Sequence, residues 1–194
     1  MEYAITKAEI NEKPLIEYKG SYSLIHTEEA LAEALPEIAK ERILGFDTET
    51  RPAFRKGESY LPSLLQLGGA QHVWMFQLQR LPELGALFEI LATQSIVKAG
   101  VAIARDVVEL RELKDFEPAG FQDVGKMAEK LRFKNTGLRP LAALLLDGRI
   151  SKGAQVSNWA TKELSEKQII YAATDAWVSR ELYLSLDDLR RKRS

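Results

Sequence analysis

Asp47 and Glu49 form a closely spaced pair of carboxylates that could bind a metal ion. They lie two residues apart at the end of the apolar segment 42–49, so both side chains would point to one face of a strand. Two acids in that position repel each other and are costly to desolvate, and a divalent cation would remove this cost. Taken alone, the D-x-E pattern is better explained by solvated carboxylates at a strand end.

Three further polar side chains follow at wide spacing. Asp106 lies after the glycine turn of KAGVAIARD, in the first turns of a predicted helix, where a carboxylate also complements the helix dipole. Tyr171 and Asp175 are four residues apart in another predicted helix and share one of its faces. The alanines at 172 and 173 would let that helix approach its neighbour closely. Each signal is weak alone, because helix-start aspartates and core tyrosines are common structural residues.

The elements that must position these residues alternate between strands and helices. Strands are predicted over 15–25, 42–49, 63–69, 73–78 and 96–99. Helices are predicted over 27–40, 82–93, 102–114, 125–132, 138–146 and 165–189. Strands concentrated in the first half, with helices between and after them, predict an α/β fold in which a mixed β-sheet is flanked by α-helices.

The composition limits the class of protein. The chain has 194 residues, of which 45% are hydrophobic and 28% charged, as in a soluble globular domain. Its 27 bases and 28 acids argue against a strongly basic coat, and the lack of cysteine excludes disulfides and thiolate zinc sites. No apolar run reaches the ~20 residues of a membrane span, and the first residues lack an apolar signal core. We therefore expect a cytoplasmic protein. P-loop and Rossmann glycine motifs are absent.

Taken together, the acidic groups resemble the DEDDy family of 3′–5′ exonucleases. Asp47, Glu49, Asp106, Tyr171 and Asp175 occur in the family's order, and the flanking sequences LGFDTET, KAGVAIARD and YAATDA agree. SNW, followed by LSEKQ, is a further match. The resemblance covers about 15–186 and is closest to the branch that contains RNase D and the exonuclease domain of Werner-type helicases. One departure is Val-Ala after KAG, where His-Asn is commoner.

The resemblance implies an RNase H-like fold with two Mg²⁺ or Mn²⁺ ions held by the acids at one edge of the sheet. It implies that Asp47 bridges both ions, and that Glu49 and Asp175 hold the ion that activates the attacking water. Asp106 would serve the second ion through water, and Tyr171 would hydrogen-bond the attacking water. Independently of the family, hard oxygen ligands without histidine or cysteine favour Mg²⁺ or Mn²⁺ over zinc or copper.

Positive charge for a polyanionic substrate is concentrated in the segment 126–152, which contains seven bases and two acids. We expect part of this segment to flank a substrate groove, although each base fits a solvated helix face equally well. Arg51 follows the acid pair and could touch the substrate backbone, and Phe54 or Tyr60 could stack on a base. The residues expected to contact nucleic acid are Thr48, Arg51, Phe54, Lys126, Lys130, Arg139 and Lys152.

The resemblance implies a metal-dependent exonuclease that hydrolyses phosphodiester bonds at the 3′ end of DNA or RNA and releases nucleoside 5′-monophosphates. Single-stranded or frayed 3′ ends suit a site that threads one terminus between two ions. The alternatives are a non-catalytic nucleic-acid-binding module of the same fold and a nucleotidase that acts on small phosphoesters. No motif separates DNA from RNA, because that choice depends on contacts to the sugar 2′ position.

We expect a single domain over 1–194, with its core over about 15–188. The basic segment 189–194 is predicted to be a disordered tail rather than a binding arm. Because the sequence ends at 194, we also expect no helical accessory domain of the kind that follows the exonuclease in RNase D.

Overall fold

A computed structural model of the chain describes residues 3–193 as one six-stranded β-sheet with helices on both faces. The strands are β1 (Ser21–Ile25), β2 (Ile43–Glu49), β3 (Leu64–Gly68), β4 (His72–Gln77), β5 (Val97–Gly100) and β6 (Phe121–Asp123). The helices are α1 (Lys7–Glu12), α2 (Glu28–Ile38), α3 (Gly85–Ala92), α4 (Ala104–Leu113), α5 (Val124–Lys130), α6 (Leu138–Leu145) and α7 (Glu166–Arg191). This mixed sheet flanked by helices confirms the predicted α/β class.

The strand order is β1-β4-β3-β2-β5-β6, and β3 runs antiparallel to both of its neighbours while the other pairs are parallel. Side chains alternate between the two faces along each strand. Leu44 and Phe46 of β2 are fully buried in the core beneath α2 and α3. Asp47 and Glu49 lie on the opposite face, which α7 covers. Burial of each large apolar side chain stabilises the fold by about 1.5–3 kcal/mol.

Glycines let α7 lie directly against the backbone of the sheet. Gly45 of β2 pairs with Gly68 of β3, and both face the α7 backbone at Ala176. A Cβ on Gly45 would lie 1.8 Å from the Ala176 carbonyl oxygen, so no larger residue fits there without moving the helix. The neighbouring α7 residues Ala172 and Ala173 are also buried. This close approach brings the side chain of Asp175 down to the level of β2.

Local sequence signals account for several element boundaries. The Thr27 hydroxyl caps α2, and Ser165 forms a capping box with Gln168 at the start of α7. Both helices begin within one residue of the predicted start. The helix predicted from 102 instead begins at Ala104, because Ala102 has a left-handed backbone with φ 59°. The predicted strand region 15–25 is shorter than expected, since only β1 is a strand and Leu15 forms an isolated bridge.

The prediction of a disordered tail over 189–194 is wrong for residues 189–191, which complete α7. Arg190 and Arg191 each form a 2.7 Å ion pair with Asp187, one helical turn earlier, and these pairs offset the repulsion within the basic segment. Arg193 donates a hydrogen bond to the Leu131 carbonyl oxygen. Residue 194 lies outside the described residues. Among the helices described, none is both long and apolar enough to cross a lipid bilayer.

Candidate active site

Three carboxylates from two elements meet above the sheet. Asp47 and Glu49 lie at the carboxyl end of β2, on the face that α7 covers. Asp175 comes from α7 and is 5% exposed. One carboxylate oxygen from each of the three lies within 4.8 Å of the other two. Asp175 lies 128 residues after Asp47 and 126 residues after Glu49 in the sequence. The packing of α7 against Gly45 brings it close to both.

Asp106 lies beside this group, in the first turn of α4. The carboxyl end of β5 lies close against β2, since a Cβ on Gly100 would be 2.4 Å from the Phe46 carbonyl oxygen. The chain turns after β5, and the start of α4 then approaches the end of β2. There the Thr48 hydroxyl donates a hydrogen bond to the Asp106 carboxylate. Asp106 is therefore close to the three-acid group but is held on the Thr48 side of the strand.

Burial and mutual repulsion raise the pKa values of all four acids. Burial raises the pKa of Glu49 to about 10, with a further contribution from the charge of Asp47. Burial raises the pKa of Asp175 to about 7. The pKa of Asp47 rises well above its usual range because of burial and then because of the nearby charges of Asp175 and Asp106. For Asp106 burial again raises the pKa, and the hydrogen bond from Thr48 opposes that rise. The cluster therefore holds more negative charge than this environment favours.

Tyr171 lies one helical turn before Asp175, and its hydroxyl is a hydrogen-bond partner of that carboxylate. Burial, followed by the charges of Asp175 and Glu49, raises the tyrosine pKa above its ordinary value. Its ring packs against the buried Trp159, with ring centroids 5.9 Å apart. The phenol is thus held in place, and its raised pKa favours the protonated form, which can donate a hydrogen bond.

The acids open onto a groove of about 570 Å³. Thr48 and Tyr171 line it together with the three clustered acids, and so do the bases Lys7, Arg139 and Lys152. Arg139 is fixed there, because its Nε donates a 3.1 Å hydrogen bond to the Ile150 carbonyl oxygen. The lining of the groove therefore combines a cluster of acids with three basic side chains.

Of the residues predicted to contact nucleic acid, some line the groove and others lie outside it. Thr48, Arg139 and Lys152 line the groove, as described above. Lys126 lines a separate small pocket beside Asp123, and Lys130 is exposed at the end of α5. Arg51 stacks over the Tyr60 ring at 4.1 Å, and Phe54 is 82% exposed in the loop after β2. Binding by any of these residues stays a prediction.

The sequence analysis missed the contribution of α1 to the groove. Lys7 and Ile10 line the wall, and the neighbouring Ile5 is anchored by a hydrogen bond from its backbone N–H to the Asn135 side chain. The signal that could have found this helix is local, because Thr6 and Glu9 form a capping box. The helix has six residues and one buried apolar side chain, so its hydrophobic periodicity is too short to detect.

The donor set fits a hard divalent cation. The three clustered ligand atoms are all carboxylate oxygens, and neither histidine belongs to the cluster. Divalent cations of the Mg²⁺ and Mn²⁺ class prefer such oxygen ligands. A cation would also supply the positive charge that the buried, mutually repelling acids favour. The cluster can therefore bind metal and orient a phosphodiester in the adjoining groove.

Comparison with known proteins agrees with this geometry. The family model described as 3′-5′ exonuclease matches residues 22–189 of the chain. Ribonuclease D of Acidiphilium cryptum is 36% identical over 171 residues, which are 84% of this chain and 42% of that protein. The bifunctional 3′-5′ exonuclease/ATP-dependent helicase WRN of Mus musculus is 29% identical over 190 residues, which cover 91% of this chain and 13% of that protein. The chain thus spans less than half the length of these relatives.

Solved structures share the fold. The Nibbler EXO domain of Aedes aegypti superposes with a TM-score of 0.82 at 19% identity, covering 93% of this chain and 94% of that one. RNase D of Escherichia coli superposes with a TM-score of 0.71 at 22% identity, covering 88% of this chain and 49% of that one. The fold is RNase H-like, as the resemblance implied. The family match over most of the chain shows that it belongs to the 3′-5′ exonuclease family, whose relatives named here are hydrolytic enzymes that act on nucleic acid.

Proposed function

We propose that this chain is a metal-dependent 3′–5′ exonuclease that releases nucleoside 5′-monophosphates from the 3′ end of DNA or RNA. The observation that carries the proposal is the convergence of Asp47, Glu49 and Asp175 within 4.8 Å at the wall of an open groove. Family membership supplies the reaction class, and the side chains that such a reaction requires are present together.

Four carboxylates would hold two Mg²⁺ or Mn²⁺ ions. Asp47 would contact both ions, Glu49 and Asp175 would hold one of them, and Asp106 would serve the other. When bound, two such ions stabilise the attacking and leaving oxygens of a phosphodiester displacement. The Thr48 hydroxyl holds the Asp106 carboxylate in place. Carboxylates fixed by their neighbours lose less conformational freedom when they bind a ligand.

Tyr171 would orient the attacking water. Its hydroxyl is a hydrogen-bond partner of the Asp175 carboxylate, and its packing against Trp159 holds the ring in place. Orientation of a reactant by a fixed group lowers the entropic part of the activation barrier. Burial and the charges of Asp175 and Glu49 raise the pKa of the phenol, which favours a hydrogen-bonding role over that of a base.

The substrate would be a single-stranded or frayed 3′ end. Lys7, Arg139 and Lys152 line the same groove as the acids and would neutralise phosphates of a bound strand. The relatives include ribonuclease D and the WRN exonuclease/helicase, and RNase D of Trypanosoma brucei has been crystallised in complex with RNA U12. Both RNA and DNA are therefore substrates to test.

The test is the digestion of 5′-labelled RNA and DNA oligonucleotides that end in a 3′ overhang, in Mg²⁺, Mn²⁺ or EDTA. We expect a ladder that shortens from the 3′ end, 5′-mononucleotide products and no digestion in EDTA. Asp47→Ala and Asp175→Ala should each lower the rate at least 10³-fold, an estimate based on the loss of a ligand to a catalytic ion. Asp188→Ala is the matched control, because Asp188 lies on α7 and pairs with Lys192 away from the groove.

Each alternative outcome has a distinct signature. Tight oligonucleotide binding without turnover in either metal would indicate a non-catalytic binding module. Faster turnover of small phosphoesters than of oligonucleotides would indicate a nucleotidase. A normal ladder from Asp47→Ala would show that the chemistry lies elsewhere in the chain.

A further inference from the structure

Gln66 is a fully buried polar side chain beside the acidic cluster. It lies on β3, directly opposite Asp47 of β2 in the antiparallel pairing, and its other neighbour across the sheet is Met75 of β4. None of its surface is exposed. Neither Oε1 nor Nε2 has a hydrogen-bond partner within the described structure. The side chain shares the sheet face that α7 covers, because Gly68, two residues along β3, contacts that helix.

An unpartnered buried amide lowers stability, and most buried polar atoms have partners. The surrounding layer otherwise consists of apolar side chains. Leu64 lies two residues before Gln66 on the same strand face, and Met75 lies beside it, each without any exposed surface. Methionine would fill the Gln66 position with nearly the same volume and without unpaired polar atoms. Packing alone therefore does not explain a carboxamide at this point.

The Asp47 carboxylate, on the residue directly opposite Gln66, lacks a side-chain donor. Asp106 accepts from Thr48, and Asp175 has Tyr171, whereas none of the side chains in residues 3–193 donates to Asp47. Residues directly opposite each other in an antiparallel pair have Cβ atoms about 4.5–5.5 Å apart. The Gln66 Nε2 atom lies three bonds beyond its Cβ, so the side chain is long enough to reach the Asp47 carboxylate by a change of rotamer.

We propose that Gln66 is a positioning residue whose Nε2 donates a hydrogen bond to the Asp47 carboxylate when that carboxylate binds a divalent cation. The amide would hold the carboxylate plane in one orientation and satisfy a donor that otherwise has no partner. Groups that orient a metal ligand commonly change metal affinity 10–100-fold when they are removed. This inference rests on the proposed function, because it assumes that Asp47 is a metal ligand.

The test compares Gln66→Met with the unaltered protein by calorimetric titration of the metal-free protein with Mn²⁺. We expect Gln66→Met to weaken Mn²⁺ binding at least 10-fold. The thermal midpoint measured in EDTA should be unchanged or higher, because the substitution removes two unpaired buried atoms. A purely structural glutamine would give the reverse result, a lower midpoint in EDTA with unchanged Mn²⁺ affinity, and that result would overturn the proposal.

Two controls match Gln66→Met in chemistry and in burial. Gln122→Met replaces an exposed glutamine on β6, and Met75→Leu alters the buried neighbour of Gln66. Neither should change Mn²⁺ affinity more than twofold. If the unaltered protein binds no Mn²⁺ and digests no oligonucleotide, the proposed function itself fails. If it binds and digests normally and Gln66→Met binds Mn²⁺ equally well, only the role of Gln66 fails.

A second measurement uses the unaltered protein and does not require the variant to fold. The Gln66 side-chain amide resonances are assigned by triple-resonance NMR and followed during titration with diamagnetic Mg²⁺. Formation of a hydrogen bond to a carboxylate should move one Nε2 proton downfield in step with Mg²⁺ binding. An amide signal that does not move while the Asp47 backbone signal does would contradict the proposal.

Discussion

The surroundings of each carboxylate in the acidic cluster determine its pKa. Burial, followed by the charge of Asp47, raises the pKa of Glu49 to about 10. Asp175 has Tyr171 as a hydrogen-bond partner and a lower pKa of about 7. The difference is one of environment, because the two side chains have nearly the same intrinsic acidity. At neutral pH the metal-free site therefore holds protons that a bound metal would displace.

This protonation predicts how the stability of the metal-free protein depends on pH. The folded pKa values exceed the unfolded ones, so the folded state binds more protons between about pH 4 and the folded pKa values. The stabilisation is complete below the unfolded pKa and is lost as the pH rises through 7 towards 10. In EDTA, the free energy of unfolding should fall by about 1–3 kcal/mol between pH 5 and pH 8.

Denaturant titrations at the two pH values, with and without Mg²⁺, measure this change. Asp175→Asn should reduce the fall, and the exposed Asp188→Asn should leave it unaltered. Saturating Mg²⁺ should raise the stability at pH 8 more than at pH 5, since protons compete for the ligands at the lower pH. Stability in EDTA that increases from pH 5 to pH 8 would contradict the prediction.

Replacing the tyrosine separates orientation of the water from metal binding. Tyr171→Phe should lower kcat by about 10²-fold, because the hydroxyl that orients the water is lost. The affinity for Mn²⁺ should change less than twofold, because the hydroxyl is not a ligand. Tyr183→Phe is the control on the same helix, outside the groove. Steady-state digestion and Mn²⁺ titration are the measurements. Equal kcat values for Tyr171→Phe and the control would contradict the proposal that Tyr171 orients the attacking water.

The elements act as rigid supports whose spacing decides whether the acids meet. Helix α7 can lie on β2 and β3 because Gly45 and Gly68 present no side chain to it. The small residue Ala172 extends this contact along the helix. The end of β5 approaches β2 in a similar way at Gly100. Close backbone packing therefore sets the distances in the site to within the length of a methyl group.

A single added methyl at this contact should disrupt both stability and activity. Gly45→Ala places a Cβ 1.8 Å from the Ala176 carbonyl oxygen, so α7 must move. We expect a loss of about 1–3 kcal/mol in the free energy of unfolding, with a larger relative loss of activity. Gly137→Ala is the matched control, since its Cβ would meet only Pro140, at 3.7 Å. Thermal denaturation and digestion rates test both variants, and equal effects would show that the close approach is unimportant.

Lys98 is a buried lysine that forms hydrogen bonds to the carboxyl end of α3. It is fully buried on β5, and its Nζ donates to the carbonyl oxygens of Ile90 and Thr93 at the end of α3. Burial lowers its pKa to about 8, so the unfolded chain binds more protons than the folded one between about pH 8 and 10.5. The stability contributed at this position should therefore rise with pH in that range.

The variant Lys98→Met isolates this effect. As the pH rises from 7.5 to 9.5, the unfolding free energy of the unaltered protein should increase relative to that of Lys98→Met. The slope should approach at most about 1.4 kcal/mol per pH unit. Denaturant titrations across this range measure the difference, in which the other titrating groups cancel. A difference independent of pH would show that Lys98 ionises as an exposed lysine does.

At the scale of the whole molecule, the net charge is close to zero but the charged residues are unevenly distributed. The net charge is −1, yet Lys7, Arg139 and Lys152 all line the groove that contains the acids. Such a local field favours the approach of a phosphate chain although the protein as a whole repels it. The groove thus combines contributions from the amino-terminal helix, the segment 138–152 and α7.

This distribution predicts which basic residues affect binding. Lys152→Ala should weaken binding of a 3′-tailed oligonucleotide and reduce the slope of log affinity against log salt by about one. Lys130→Ala should change neither, because Lys130 is exposed at the end of α5 and does not line the groove. Fluorescence anisotropy in EDTA, over a range of salt concentrations, measures both. Equal slopes for the two variants would place the substrate elsewhere.

The sequence by itself determined the chemistry of the site and much of the secondary structure. Oxygen ligands and the spacing of the acids depend on residue identity, and the family pattern links them along the chain. The starts of α2 and α7 follow from Thr27 and Ser165, because capping is an interaction over three residues. The α/β class follows from apolar periodicity. These features depend on residue types and on short stretches of the chain.

Only the tertiary structure decided which distant residues share the site. Lys152 lines the groove that contains the acids and Lys126 does not, although both belong to one basic segment. Nothing in the local sequence places Lys7 in the groove or Gln66 beside Asp47. The physical reason is that these relations depend on helix packing and strand pairing between segments far apart in the chain. Strand order and the close approach of α7 arise from the collective packing of the core, which no single segment specifies.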